Sequence, residues 1–137
     1  MNEDLYQIIE AEDIGLMEAA IPLTVSASSR INGKYHIILD ANATNCSSDE
    51  RTHLLHELGH CATGSFHDPR AKLDIRAKHE RRADVWAFKH ELPPDKLRRL
   101  FRRGITESWE LAEELGLSQQ FIEKAMEYYR NVRPLGA

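Results

Sequence analysis

His56-Glu57-Leu58-Gly59-His60 is the one stretch of this chain whose residue types and spacing are those of metal chemistry. On a helix, side chains four apart lie one above the other, so the imidazoles of His56 and His60 can converge on a single cation. Glu57 is one position further round. It is badly placed to complete a two-histidine clamp but within reach of a water held by the ion, from which it can take a proton as general base. The bland alternative is a helix carrying a hydrogen-bonded histidine pair. Leu54, Leu55, Leu58 and Ala62 flank the motif with apolar positions. The histidine side of the helix is thus expected to be buried, where an unpaired imidazole pair is costly and a cation removes the cost.

A catalytic zinc site takes three protein ligands and leaves a position for solvent. Two residues compete for the third place. His67 nearly follows the extension HExxHxxGxxH, but both Gly64 and His67 arrive one residue late. Met1, Met17 and Met126 are the only methionines, and none is placed to form a turn beneath such a site. Glu80 is the better candidate. Nineteen residues separate it from His60, and it lies near the start of the next long helical stretch. The intervening loop can fold that helix back across the first. Asp84, one turn deeper, can then accept a hydrogen bond from the second nitrogen of a ligating histidine, which fixes its tautomer. HExxH with a downstream ExxxD is the gluzincin arrangement. The competing reading pairs Glu80 and Asp84 with neighbours such as Arg76 and Arg81. His67 retains a second possible role, as a hydrogen-bond donor to the developing oxyanion of a cleaved peptide. His36, His53, His79 and His90 carry no assigned role, and Cys61 reads as a small buried hydrophobe.

These residues also carry a family resemblance. HELGHCATGS over residues 56–65, followed by ERRADVWAF over 80–88, resembles the ImmA/IrrE family of zinc metallo-endopeptidases, in its compact phage and mobile-element form. The resemblance implies one Zn2+ on His56, His60 and Glu80, with Glu57 as catalytic base. It further implies a zincin-like domain that hydrolyses a cytoplasmic regulatory protein, a helix-turn-helix repressor of a phage or mobile element. Larger members have further domains after the peptidase region, for which this chain has no room. A metal-stabilised module that binds a repressor or antitoxin without cutting it is the alternative, and a DNA-associated regulator a third reading.

The elements that must position these groups follow from pattern. With 137 residues, 42% hydrophobic and 29% charged, the chain fits one domain, 1–137. The expected class is α+β: a helix and a small antiparallel sheet over 1–47, metal-site helices over 48–92, and a helical tail over 93–137. Leu5, Ile8 and Ile9 define a first helix over 3–12. Short extended pieces over 14–21 and 23–27 flank Pro22, and Asn32-Gly33 signals a type I′ hairpin leading into a strand at 35–39. Ser48 or Asp49 is the expected N-cap of a helix ending at Gly64, and a second long helix runs over 75–92 to Pro93-Pro94. Shorter helices follow over 95–103, 106–115 and 118–130.

Charge and composition exclude several classes. No run approaches the 18 or more apolar residues of a membrane span, and the first twenty residues hold six acids without a Lys or Arg, the reverse of a leader peptide. Two cysteines are too few for a disulfide framework, which points to the cytoplasm. Residues 70–103 set 12 basic against 5 acidic side chains. Leu111 to Ala125 has a helix-turn-helix spacing, with Gly116 in the turn. Its surface is acidic, through Glu107, Glu110, Glu113, Glu114, Glu123 and Glu127, which argues against direct nucleic-acid binding despite the nearby Lys96, Arg98, Arg99, Arg102 and Arg103. The tail is therefore expected to cap the core or dock protein.

Overall fold

A computed structural model describes residues 2–21, 25–40, 47–66 and 71–131. Among these residues there are six helices and three strands: α1 (Glu3–Ala11), β1 (Gly15–Glu18), β2 (Ser26–Ile31), β3 (Lys34–Leu39), α2 (Ser47–Thr63), α3 (Leu73–Glu91), α4 (Pro94–Arg102), α5 (Ser108–Leu115) and α6 (Gln119–Asn131). The class is α+β. None of the described helices is long and apolar enough to cross a membrane. Two compact units divide the chain, Met1–Ala87 and Phe88–Ala137.

In the first unit the sheet order is β1-β3-β2. Asn32 (φ 53°) and Gly33 (φ 79°) both take the left-handed conformation that a two-residue I′ turn requires, and β2 pairs antiparallel with β3 from Ile31↔Lys34 to Ser26↔Leu39. The expectation of a purely antiparallel sheet is corrected by β1. It lies parallel to β3, with Gly15 opposite His36 and Glu18 opposite Leu39. A turn dipeptide reports only the pairing of strands adjacent in sequence, whereas the β1–β3 pairing skips β2. The second strand also runs later than expected, from Ser26 through Ile31, and Pro22 lies outside the described residues.

Helix α2 packs on β2 and β3, and α1 packs on α2. Leu5 and Ile9 from α1, Ile37 and Leu39 from β3, and Leu54, Leu55 and Leu58 from α2 are buried. Arg51 ties α1 to α2 through a bidentate pair with Asp4, at 2.9 and 2.8 Å. Helix α2 begins at Ser47, earlier than expected, which puts Asp49 in the first turn, where a carboxylate complements the exposed amides. Gly64 (φ 64°) ends it.

The second unit buries Leu92, Leu97, Leu100, Leu111, Leu117, Phe121, Ile122, Ala125 and Tyr129. The Tyr129 hydroxyl donates to the Leu92 carbonyl at 2.7 Å, just beyond the end of α3. Helix α5 starts at a Glu107–Glu110 capping box and stops at Gly116 (φ 66°), and α5 packs on α6.

Candidate metal centre

Helix α2 presents two kinds of surface. Leu54, Leu55, Leu58 and Cys61 are buried, while the rings of His56 and His60 meet edge to face, with centroids 4.8 Å apart and planes at 86°. Between them sits Gly59, and its lack of a side chain lets α3 come in close. A Cβ at that position would lie 2.9 Å from Cα of Ala83, nearer than real contacts allow. Ala83, also small, is fully buried at the contact. Glu80 is one turn before Ala83 and Asp84 directly after it, so the close approach carries both carboxylates to the histidines.

The resulting geometry is compact. Nε2 of His56 lies 3.3 Å from Nε2 of His60 and 2.8 Å from Oε2 of Glu80, and Nε2 of His60 lies 3.3 Å from Oε1 of Glu80. His56, His60 and Glu80 form a group able to hold a metal ion. The opposite ring nitrogens are both engaged. Nδ1 of His56 is 2.8 Å from Oδ1 of Asp84, and Nδ1 of His60 is 2.5 Å from the carbonyl oxygen of Ser65. A carbonyl oxygen can only accept, so His60 must carry a proton on Nδ1, and the Asp84 carboxylate asks the same of His56. In the neutral rings both Nε2 lone pairs then point at each other and at a carboxylate.

Three acceptors without a donor repel, and a cation among them resolves the repulsion. Here the residues fit a metal: two separations of 3.3 Å match the edge of about 3.3 Å expected for tetrahedral ligands at roughly 2.05 Å bonds. In the absence of an ion a proton does the same work. Burial opposes a charged His56, but its hydrogen bonds to Asp84 and Glu80 outweigh this and push it up to about 10. His60 is also raised, its burial being overcome by Glu80 and the Ser65 carbonyl. The two rings in turn hold the Glu80 carboxyl far below its usual range. Glu80 remains 45% exposed at the side chain and His60 only 6%, so the cluster is open on the Glu80 side.

Glu57 is not one of the three residues of that group. Buried at 4% exposure, it accepts a 2.6 Å hydrogen bond from Oγ of Ser26 on β2, and Nδ1 of His53 lies 3.3 Å from the same hydroxyl. Burial lowers His53, favouring its neutral ring. After α2, the turn at Gly64 sends the chain back so that Ser65 N–H bonds the His60 carbonyl at 3.1 Å, and Thr63 Oγ1 and Ser65 Oγ lie 2.5 Å apart. Phe66 stacks on Tyr35 at 5.3 Å and tilts toward the His60 ring at 6.0 Å.

Thus His56, His60, Glu80 and Asp84 are brought together, and Glu57 stands beside them against β2. His67 lies outside the described residues, in both of its suggested roles. Cys61 is buried and its thiol is pushed up to about 11 by burial and by the charge of Glu57. Sequence reading missed three contributors: Ser26, His53 and the Ser65 carbonyl. Only the last had a local signal, the helix-stopping glycine at 64 that turns the following carbonyl toward the last helical turn. The chain matches no family model, no curated protein and no solved structure.

Proposed function

We propose that this chain is a zinc-dependent endopeptidase of the compact ImmA/IrrE type, built as a minimal gluzincin-like domain. The observation that carries the proposal is the convergence of His56, His60 and Glu80 with both Nδ1 atoms already committed elsewhere. Those three residues would hold the zinc, and Asp84 and the Ser65 carbonyl would fix the tautomers of its two imidazoles. A zinc ion held there supplies Lewis acidity, polarising a substrate carbonyl and acidifying water at neutral pH. Glu57 accepts the proton from water and returns it to the departing amine. Its Oε2 is fixed by Ser26, which leaves the other oxygen to move the proton.

The substrate class follows from the resemblance: a cytoplasmic regulatory protein, in particular a helix-turn-helix repressor of a phage or mobile element. Helices α5 and α6, joined through the left-handed Gly116, serve as a helix-turn-helix-like pair for protein docking, since their acidic surface disfavours phosphate.

The test combines metal content with cleavage of a purified helix-turn-helix repressor. Wild-type protein is expected to contain one zinc and cut the repressor. Glu57→Gln should retain zinc and partner but lose cleavage, and Glu80→Ala should lose both zinc and cleavage. Full biological output from Glu57→Gln would instead favour a module that binds without cutting.

A further inference from the structure

We infer that Ser26, backed by His53, is the positioning residue that holds the Glu57 carboxylate beside the ligand cluster instead of within it; this rests on the peptidase reading above. A glutamate has three rotatable bonds, and Glu57 directly follows His56, one of the three residues that could hold the metal. Left alone, its carboxylate would be drawn to a cation held there and compete with Glu80 for it. A fourth protein ligand closes a zinc site, whereas a catalytic one keeps a position open.

The structure supplies a restraint from another element. Ser26 is the first residue of β2, opposite Leu39 in the sheet, and is itself buried at 8% exposure. Its hydroxyl has one proton, which it gives to Oε2 of Glu57 at 2.6 Å. The neighbouring His53 Nδ1, at 3.3 Å, must then be the donor in its contact with Ser26 Oγ, giving a directed chain from His53 through Ser26 to Glu57. His53 and Glu57 are one helical turn apart on α2, so the hydroxyl bridges two side chains on the same face. The backbone of Ser26 is fixed by strand pairing, which makes the anchor rigid.

The experiment is a double-mutant cycle on the zinc-saturated chain, with Ser26→Ala, Glu57→Ala and the double variant unfolded in urea. Losing a hydrogen bond to a buried carboxylate should reduce the folding equilibrium constant of Ser26→Ala about tenfold or more. The two effects should fall short of multiplying by about tenfold, because each removes the same bond. Effects that multiply overturn the inference. Turnover of fluorescein-labelled casein supplies a second readout: Ser26→Ala should lower kcat by up to about hundredfold with KM nearly unchanged. Ser26→Thr, which keeps the hydroxyl on a strand-favouring residue, should restore it. A wild-type kcat in Ser26→Ala, or no recovery in Ser26→Thr, overturns the role. Absence of turnover by wild-type protein counts against the peptidase reading, and the cycle then decides alone whether Ser26 positions Glu57.

Discussion

Gly59 of α2 and Ala83 of α3 touch backbone to backbone, and that contact sets the spacing between Glu80 and the two histidines, His56 and His60. A methyl group added at Gly59 would meet the carbonyl oxygen, carbonyl carbon and Cα of Ala83, none of which is the yielding end of a side chain. The helices must then separate. Gly59→Ala is expected to cost about 3 kcal/mol of stability through overpacking. It should also weaken zinc binding by drawing Glu80 away from His56 and His60, and urea unfolding with zinc titration of the same sample checks both.

Asp84 holds His56 by its second nitrogen without belonging to the ligand group. Asp84→Ala should therefore retain the zinc site at an affinity lower by about 10- to 100-fold. Glu80→Ala, which removes one of the three proposed ligands, should lose more. A competition titration against a chelating dye ranks the two.

The pH dependence of the metal-free protein follows from His56. Its folded-state value, about 10, lies above the ordinary 6.5, so its contribution to stability is complete below pH 6.5 and disappears as pH rises through about 10. The melting temperature of chelator-treated protein should fall over that interval, and His56→Gln should flatten the fall. Zinc must displace the same proton. Its apparent affinity should accordingly climb with pH over this range, with proton release measurable in weakly buffered dye solution.

Arg51 is buried beneath α1 and grips both oxygens of Asp4, which holds that carboxyl down at about 2. The sign is opposite to that of His56. The stabilisation is present above the ordinary value of 3.8 and is lost as pH falls through about 2. Because the Asp4 side chain is 55% exposed, solvent screening limits the effect to about 1 kcal/mol. Asp4→Asn should show that loss at pH 7 and almost none near pH 2, as read from denaturant midpoints.

The chain's own order of residues determined the helices to within a few positions, because Gly64, Pro93-Pro94 and Gly116 act on the backbone through local sterics and need no partner. The Asn32-Gly33 hairpin and the stacking of His56 over His60 were legible for the same reason: each depends on a period or a turn within a few residues. Partnerships between distant segments were not. The parallel pairing of β1 with β3 skips the strand between them, and Ser26 meets Glu57 across 31 positions with no spacing rule to announce it. Glu80 stood between, suggested by its type and interval, yet its arrival at the histidines depends on α3 closing against Gly59. Local conformational preference writes the elements into the sequence, but which carboxylate a histidine faces and which hydroxyl a glutamate accepts from is decided only when packing brings separate elements within bonding distance.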